Sequence, residues 1–357
     1  MMRSRRVWML ALTALALVLA GCSRMAPGSW PGVSVGDDTV WVAYQQQVFA
    51  VALENGGQRW AFPVEPDSKR TFFAAPQLTA DRTALIVGGY DGVLYALDPA
   101  NGQERWSFTA AQDRYIGAAL VTPDFIYAPN ADGTLYALDL EGRPVWTFAT
   151  QAALWAPPVT DGETLFVSSL DHHLYALDAR TGQERWRAAL DGALPASPTL
   201  VDGVLYVGEL ANEVTALNAA DGSVRWTAPV AAWVWHSPVP LGDDALVVGD
   251  MEGHVYALTR AEGRVRWQAQ VDGAIIGAPL VADGTVFVTT RAGMLAALDA
   301  ANGQVRWQKP LVEDGTIEAG PVLTPEGLLL VAPSDAKAPL LAVQPDGTVV
   351  WTFSLEK

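Results

Sequence analysis

Cysteine is the scarcest residue in this chain of 357: Cys22 is the only one. A single thiol allows no intramolecular disulfide framework and no CxxC or cysteine-rich zinc site. Histidine is nearly as rare, with four residues, and charged residues make up only 17%. Basic residues are the minority among those, 23 Lys+Arg against 39 Asp+Glu, for a net charge of −16 and no basic block. That excludes nucleic acid as a partner, because such binding rests on neutralising phosphates. Half of the residues are hydrophobic, which argues against intrinsic disorder. Beyond the N-terminal segment no apolar run is long enough to span a bilayer, and no stretch keeps a helical period.

Arg3, Arg5 and Arg6 precede an apolar run from Val7 to Ala20, the layout of an export signal rather than of a structural helix. The run is short for a membrane span and ends abruptly. Its end, Leu19-Ala20-Gly21-Cys22, resembles the bacterial lipobox, in which cleavage leaves the cysteine at the new N-terminus carrying lipid. Residues 1–21 are read as a lipoprotein signal peptide, Cys22 as the lipid attachment point and 22–29 as a tether. Ser23 resembles outer-membrane sorting. The expected location is the periplasmic face of the outer membrane, or the outer face of the cytoplasmic membrane where there is only one. Ser4-Arg5-Arg6 resembles a twin-arginine signal, but the Val-Trp-Met-Leu that follows fits general secretion better.

Tryptophan, by contrast, is plentiful and periodic. Trp60, Trp106, Trp146, Trp186, Trp226, Trp267, Trp307 and Trp351 are spaced by 46, 40, 40, 40, 41, 40 and 44 residues. Each follows a glycine by four positions: Gly56, Gly102, Gly142, Gly182, Gly222, Gly263, Gly303 and Gly347. Each unit reads as four short strands punctuated by Asp-Gly or Asn-Gly turn signals, for example 275–281, 285–290, 294–299 and 304–308. Four antiparallel strands repeating every ~40–45 residues is the period of a propeller blade. The fold expected is therefore all-β, an eight-bladed β-propeller over residues 30–356. Its ring would close by packing 345–356 and their blade against the first blade, without a borrowed strand.

The phrase Ala-x-Asp-x-x-Asn/Thr-Gly-x-x-x-Trp, clearest at Ala96 to Trp106 and Ala176 to Trp186, resembles the docking motif of the pyrroloquinoline-quinone (PQQ)-type propeller repeat. The resemblance covers essentially the whole chain after the tether. It implies that each indole stacks on the glycine turn of a neighbouring blade, which makes the eight tryptophans structural. Glycine leaves its peptide plane open to an aromatic face and accepts φ > 0. Departures from the motif are mild: Ala52 and Thr259 replace its Asp, and Glu141-Gly142 and Asp346-Gly347 shorten its turn. Quinone enzymes with this repeat carry an adjacent-cysteine disulfide and a calcium site. Here the lone Cys22 precludes the disulfide, and no Asp/Asn/Glu cluster supplies six to eight oxygens for a hard cation. No cofactor, metal or catalytic residue is expected.

Aligning the units gives two ring positions. The first, Trp30, Phe73, Ile116, Trp155, Pro195, Trp235, Ile276 and Glu318, is bulky and belongs at the mouth of the central channel. The second, Gly32, Ala75, Ala118, Pro157, Ser197, Ser237, Ala278 and Gly320, is small, as where eight inner strands converge. Trp30, Trp155, Trp233, Trp235 and His236 form the aromatic surplus. They read either as inter-blade packing that plugs the channel or as a pocket for a small apolar or sugar-like ligand. His172 and His173 fall in one hairpin turn and His254 two blades on, too far apart to share one metal ion.

Three loops are longer than their counterparts: Trp60 to Phe73, Trp307 to Glu318, and Ser334 to Pro339. They carry Glu65, Asp67, Lys69, Arg70, Glu313, Asp314, Asp335 and Lys337. All are expected on one face, around blades eight, one and two, where they read as a partner-docking surface or as slack near the closure. A lipobox followed by an eight-bladed propeller of this repeat resembles the BamB family of outer-membrane assembly lipoproteins. The nearest stretch is His236-Ser237-Pro238-Val239 through Met251-Glu252-Gly253. That resemblance implies a non-enzymatic, lipid-anchored envelope scaffold, monomeric within a larger complex, whose partner is the barrel-assembly machinery.

Overall fold

A computed structural model describes residues 31–312, 315–334 and 337–355. It contains eight four-stranded antiparallel meanders and no helix among the described residues. Blades 1 to 8 occupy residues 32–62, 77–108, 120–149, 159–189, 199–229, 239–270, 280–310 and 322–353. The second and third strands of a blade are buried along their whole length, as in Leu165 to Ser168 and Leu174 to Leu177. Neighbouring blades cover both of their faces, so these strands read as continuous apolar runs rather than as alternating ones. The fourth strand alternates, because it is the outer edge.

The core lies between blades and not within them. Each hydrophobic cluster joins two adjacent blades, for example Phe166, Leu174 and Ala176 of blade 4 with Leu205, Val207 and Leu217 of blade 5. The seam is built in the same way. Val40, Phe49 and Val51 of blade 1 pack on Leu330, Leu340 and Phe353 of blade 8. Blade 1 and blade 8 each supply all four of their own strands, so closure is by packing and no strand is shared.

The motif tryptophan has the same cross-strand pairing in every blade. It pairs across the sheet with an alanine of the third strand, such as Ala96 with Trp106, and a bulge follows immediately. The alanine leaves room for the indole on that face. The indole then lies on the turn glycine of the next blade. A Cβ added to Gly102 (φ +72°) would sit 2.6 Å from the Trp60 ring. Trp60 Nε1 also donates to the Pro99 carbonyl at 3.0 Å, and Trp186 Nε1 to that of Ala219 at 3.1 Å. Trp146 and Trp307 depart from this: the carbonyl equivalent for Trp146, Ala179, accepts from Tyr127 Oη, and a Cβ on Gly347 would meet Lys309 Cδ at 2.8 Å before the outer edge of the Trp307 ring at 3.2 Å.

The residue squeezed out at the bulge is commonly arginine, and it reaches back to the motif aspartate: Arg105 to Asp98 at 2.7 Å, Arg306 to Asp299 at 2.7 Å. In blades 1 and 6, where Ala or Thr stands for the motif Asp, another acid takes its place. Arg59 of blade 1, which has Ala52, pairs with Asp38 at 3.0 Å, and Arg266 of blade 6, which has Thr259, pairs with Asp244. The charge was relocated from one turn to another.

One expectation about the strands needs adjusting. The first strand of blade 7 is Leu280–Ala282 rather than 275–281. Residues 276–278 line the channel, and the Ile275 N–H donates to the Asp250 carbonyl of blade 6 instead of to its own sheet.

Candidate functional site

The structure brings the ring positions together. Phe73, Ile116, Trp155, Pro195, Trp235, Ile276 and Glu318 all line a central cavity of about 290 Å³. Trp30 lies outside the described residues; its neighbour Pro31 is part of the wall. The small ring lies beside them because the inner strands meet backbone to backbone. A Cβ on Gly32 would come within 2.2 Å of the Ala75 nitrogen, and one on Gly277 within 2.0 Å of the Gly320 nitrogen.

The wall is uneven. Trp155 and Trp235 come from blades 4 and 6, and blade 5 between them presents the small Pro195 at the same ring position. The two indoles therefore meet over it, with centroids 6.2 Å apart and planes 25° apart. The Trp235 Nε1 is buried and meets no acceptor among the described residues. Glu318 is 8% exposed and is held by Arg291 Nε at 3.0 Å. Trp233 is half exposed and is not part of the cavity wall. Trp41, which belongs to no motif, is buried in blade 1.

His236 borders the cavity, but its imidazole is committed to the backbone. Nε2 accepts from the Gly249 N–H at 2.9 Å, and Nδ1 lies 2.9 Å from the Ser237 carbonyl, to which it donates. Burial pushes its pKa down from 6.5 to about 4. The unfolded chain therefore binds a proton between those values that the folded chain refuses. The stability this ring contributes is complete above pH 6.5 and is lost as pH falls toward 4, amounting to about 3 kcal/mol. Denaturant midpoints should show that acid-side loss in the parent and a loss smaller by about that amount in His236→Gln.

A second belt was not recognised from the sequence. Asn130, Ser169, Glu209, Asp250 and Thr290 end or directly follow the second strands of successive blades, and each is fully buried. The carbonyls of Asn130, Ser169, Glu209 and Asp250 accept the N–H of Leu154, Leu194, Val234 and Ile275, which precede the ring residues of the next blade. The belt thus positions the cavity wall. Glu209 accepts from the Gly192 N–H at 3.0 Å, and burial raises its carboxyl pKa. Asp250 accepts from Tyr256 Oη and from His254 Nδ1, which binds that histidine to its own turn. His172 contacts the Asp191 carbonyl and His173 that of Asp171. No cluster of three metal-ligating side chains occurs among the described residues.

The long loops lie on one face. The 63–72 connection touches the second-to-third-strand turns of blades 1 and 2 through the Phe72 N–H to Gln45 and Tyr90 N–H to Thr71 bonds. The other two extensions pair with each other, Thr316–Ile317 against Pro333–Ser334, in a small ribbon over blade 8. Glu65, Lys69 and Lys337 are exposed and Asp67 partly so. Arg70 is occupied by its own fold. Its guanidinium lies over Phe62 and Tyr95, 5.4 and 5.2 Å from the ring centroids. Glu313, Asp314 and Asp335 lie outside the described residues, as does Cys22.

A sequence model of the family described as outer membrane protein assembly factor BamB matches residues 5–152, 131–232 and 213–357. The chain belongs to the BamB family. Curated BamB relatives include that of Alkalilimnicola ehrlichii, 31% identical over 146 residues (38% of this chain, 34% of the relative). That of Nitrosomonas eutropha is 25% identical over 182 residues (51% and 43%). The chain thus spans less than half the length of the curated relatives it matches. The crystal structure of BamB from Moraxella catarrhalis superposes with a TM-score of 0.73 at 20% identity, over 87% of this chain and 92% of that one. The C-terminal WD40 domain of Sif2 superposes equally well, with a TM-score of 0.74 at 10% identity over 88% and 97%. Propeller shape is therefore shared beyond BamB, and the assignment rests on the sequence.

Proposed function

We propose that the protein is a non-catalytic scaffold of the cell envelope, anchored by lipid on Cys22, that holds a protein of outer-membrane β-barrel assembly. The observation that carries this reading is the BamB family match, which runs through all eight blades. The face bearing the 63–72 connection and the Thr316–Ile317 ribbon supports it, since it offers exposed polar loops on a rigid ring. The cavity supports it as well. Its described lining holds the carboxylate of Glu318, already paired with Arg291, and the backbone-bound His236, with no nucleophile and base set toward one another. The protein is a monomer within a larger complex, needs no cofactor and contacts no nucleic acid.

A photocrosslinking residue at Lys69 or Lys337 tests this in intact cells. Recovery of a barrel-assembly subunit from those two positions, and not from Gly203 on the opposite face, is the expected result. Recovery from Gly203 alone, or from none of the three, would overturn it.

A further inference from the structure

We propose that the central cavity is a binding site for a single neutral pyranose sugar, seated between the Trp155–Trp235 pair and Glu318. The inference is independent of the scaffold reading and uses no residue of the docking face.

The cavity has two chemically different sides. In a ring of eight, blade 4 stands opposite blade 8 and blade 6 opposite blade 2, so Trp155 faces Glu318 across the axis and Trp235 faces Phe73. On one side two indoles lie 25° from parallel and bridge the gap that Pro195 leaves. On the other is a carboxylate whose position is fixed by Arg291. A pyranose is amphipathic in the same sense. Its C–H face is apolar and packs on an aromatic surface, while its equatorial hydroxyls need hydrogen-bond partners at the rim. Glu318 is an acceptor for such hydroxyls.

Size and charge narrow the class. About 290 Å³ is at the small end of ligand pockets, enough for one hexose and too little for an oligosaccharide. Glu318 carries the charge of the described lining and Arg291 already balances it. A charged ligand would meet either a carboxylate of its own sign or one that is already paired, so the ligand is uncharged. The close approach of the inner strands, Gly32 to Ala75 and Gly277 to Gly320, keeps the wall rigid and the site preformed.

The full exported protein, purified in detergent, is titrated separately with glucose, galactose, mannose and N-acetylglucosamine, following tryptophan fluorescence and the thermal midpoint. At least one of the four is expected to bind saturably. Trp155→Ala and Glu318→Gln should each weaken that binding about tenfold or more, Trp155→Phe by less, and Trp233→Ala, outside the cavity, not at all. If Trp155→Ala fails to fold, Glu318→Gln and Trp155→Phe decide the matter, since both keep the shape of the wall. Absence of saturable binding by all four sugars, or binding indifferent to Glu318→Gln and to the Trp155 variants, would overturn the proposal. Neither outcome touches the crosslinking result that tests the scaffold.

Discussion

Trp351→Ala is expected to destabilise the protein by about 3–5 kcal/mol, the cost of deleting a large buried aromatic, and to open the ring. Trp351 lies over Gly56 and donates from Nε1 to the Leu53 carbonyl at 3.0 Å, joining residues 298 positions apart. At the seven other interfaces the blade on each side is held near its neighbour by continuous chain. At the seam, the Trp351 bond to Leu53 and the packing among Phe49, Phe353 and the residues around them do this without a covalent link. The matched comparison is Trp146→Ala, where the indole packs on Gly182 but its N–H has no partner among the described residues, and the carbonyl below it accepts from Tyr127. Trp146→Ala should therefore cost less. Urea unfolding with hydrogen exchange on both variants checks it. Exchange should spread from blades 1 and 8 in Trp351→Ala, whereas identical profiles in the two variants would refute a special role for the seam.

Gly277→Ala is the second large effect. A methyl there would stand 2.0 Å from the Gly320 nitrogen and 2.4 Å from the Ala319 carbonyl carbon, all backbone. No side-chain rotation relieves that contact, so the inner strands of blades 7 and 8 must separate. Overpacking of this kind costs about 1–3 kcal/mol, and more where the backbone has to move. The upper end or beyond is expected here. Gly203→Ala provides the control. Its φ of +73° is unfavourable for alanine, but no atom lies within 4 Å of the new methyl. Only the left-handed backbone term of about 1–2 kcal/mol remains. Thermal or denaturant midpoints should rank Gly277→Ala well below Gly203→Ala; equal losses would mean that the inner strands can yield.

Much of the architecture could be read from the chain because the joint between blades is written locally. The Gly-x-x-x-Trp phrase places an indole and its landing site at fixed offsets in every unit, so blade number and order follow from counting. Features that depend on two distant units were not legible. The pairing of Thr316–Ile317 with Pro333–Ser334 joins two insertions that look like independent slack when each is read alone. The replacement of the motif Asp by Asp38 and Asp244 shows only when the bulge arginines are placed in space. The buried belt of Asn130, Ser169, Glu209, Asp250 and Thr290 was hidden for another reason: these residues precede turns, where polar side chains are ordinary. A signal was present, because the same column holds a polar residue in five successive blades. For the cavity, the ring register placed Phe73, Trp155, Trp235 and Glu318 together, but the commitment of His236 to backbone is a matter of side-chain direction that spacing does not encode.

A seam that repeats the chemistry of the other joints leaves the ring without a privileged starting point. Were one strand donated across the closure, the first and last segments would be a matched pair, and neither could be moved without the other. Here each blade is self-contained and meets its neighbours through one standard contact. The polypeptide could be cut at another inter-blade connection and rejoined across the present ends with its blades in the same circular order. For the same reason, duplication or loss of a unit changes the size of the circle without demanding a new kind of joint.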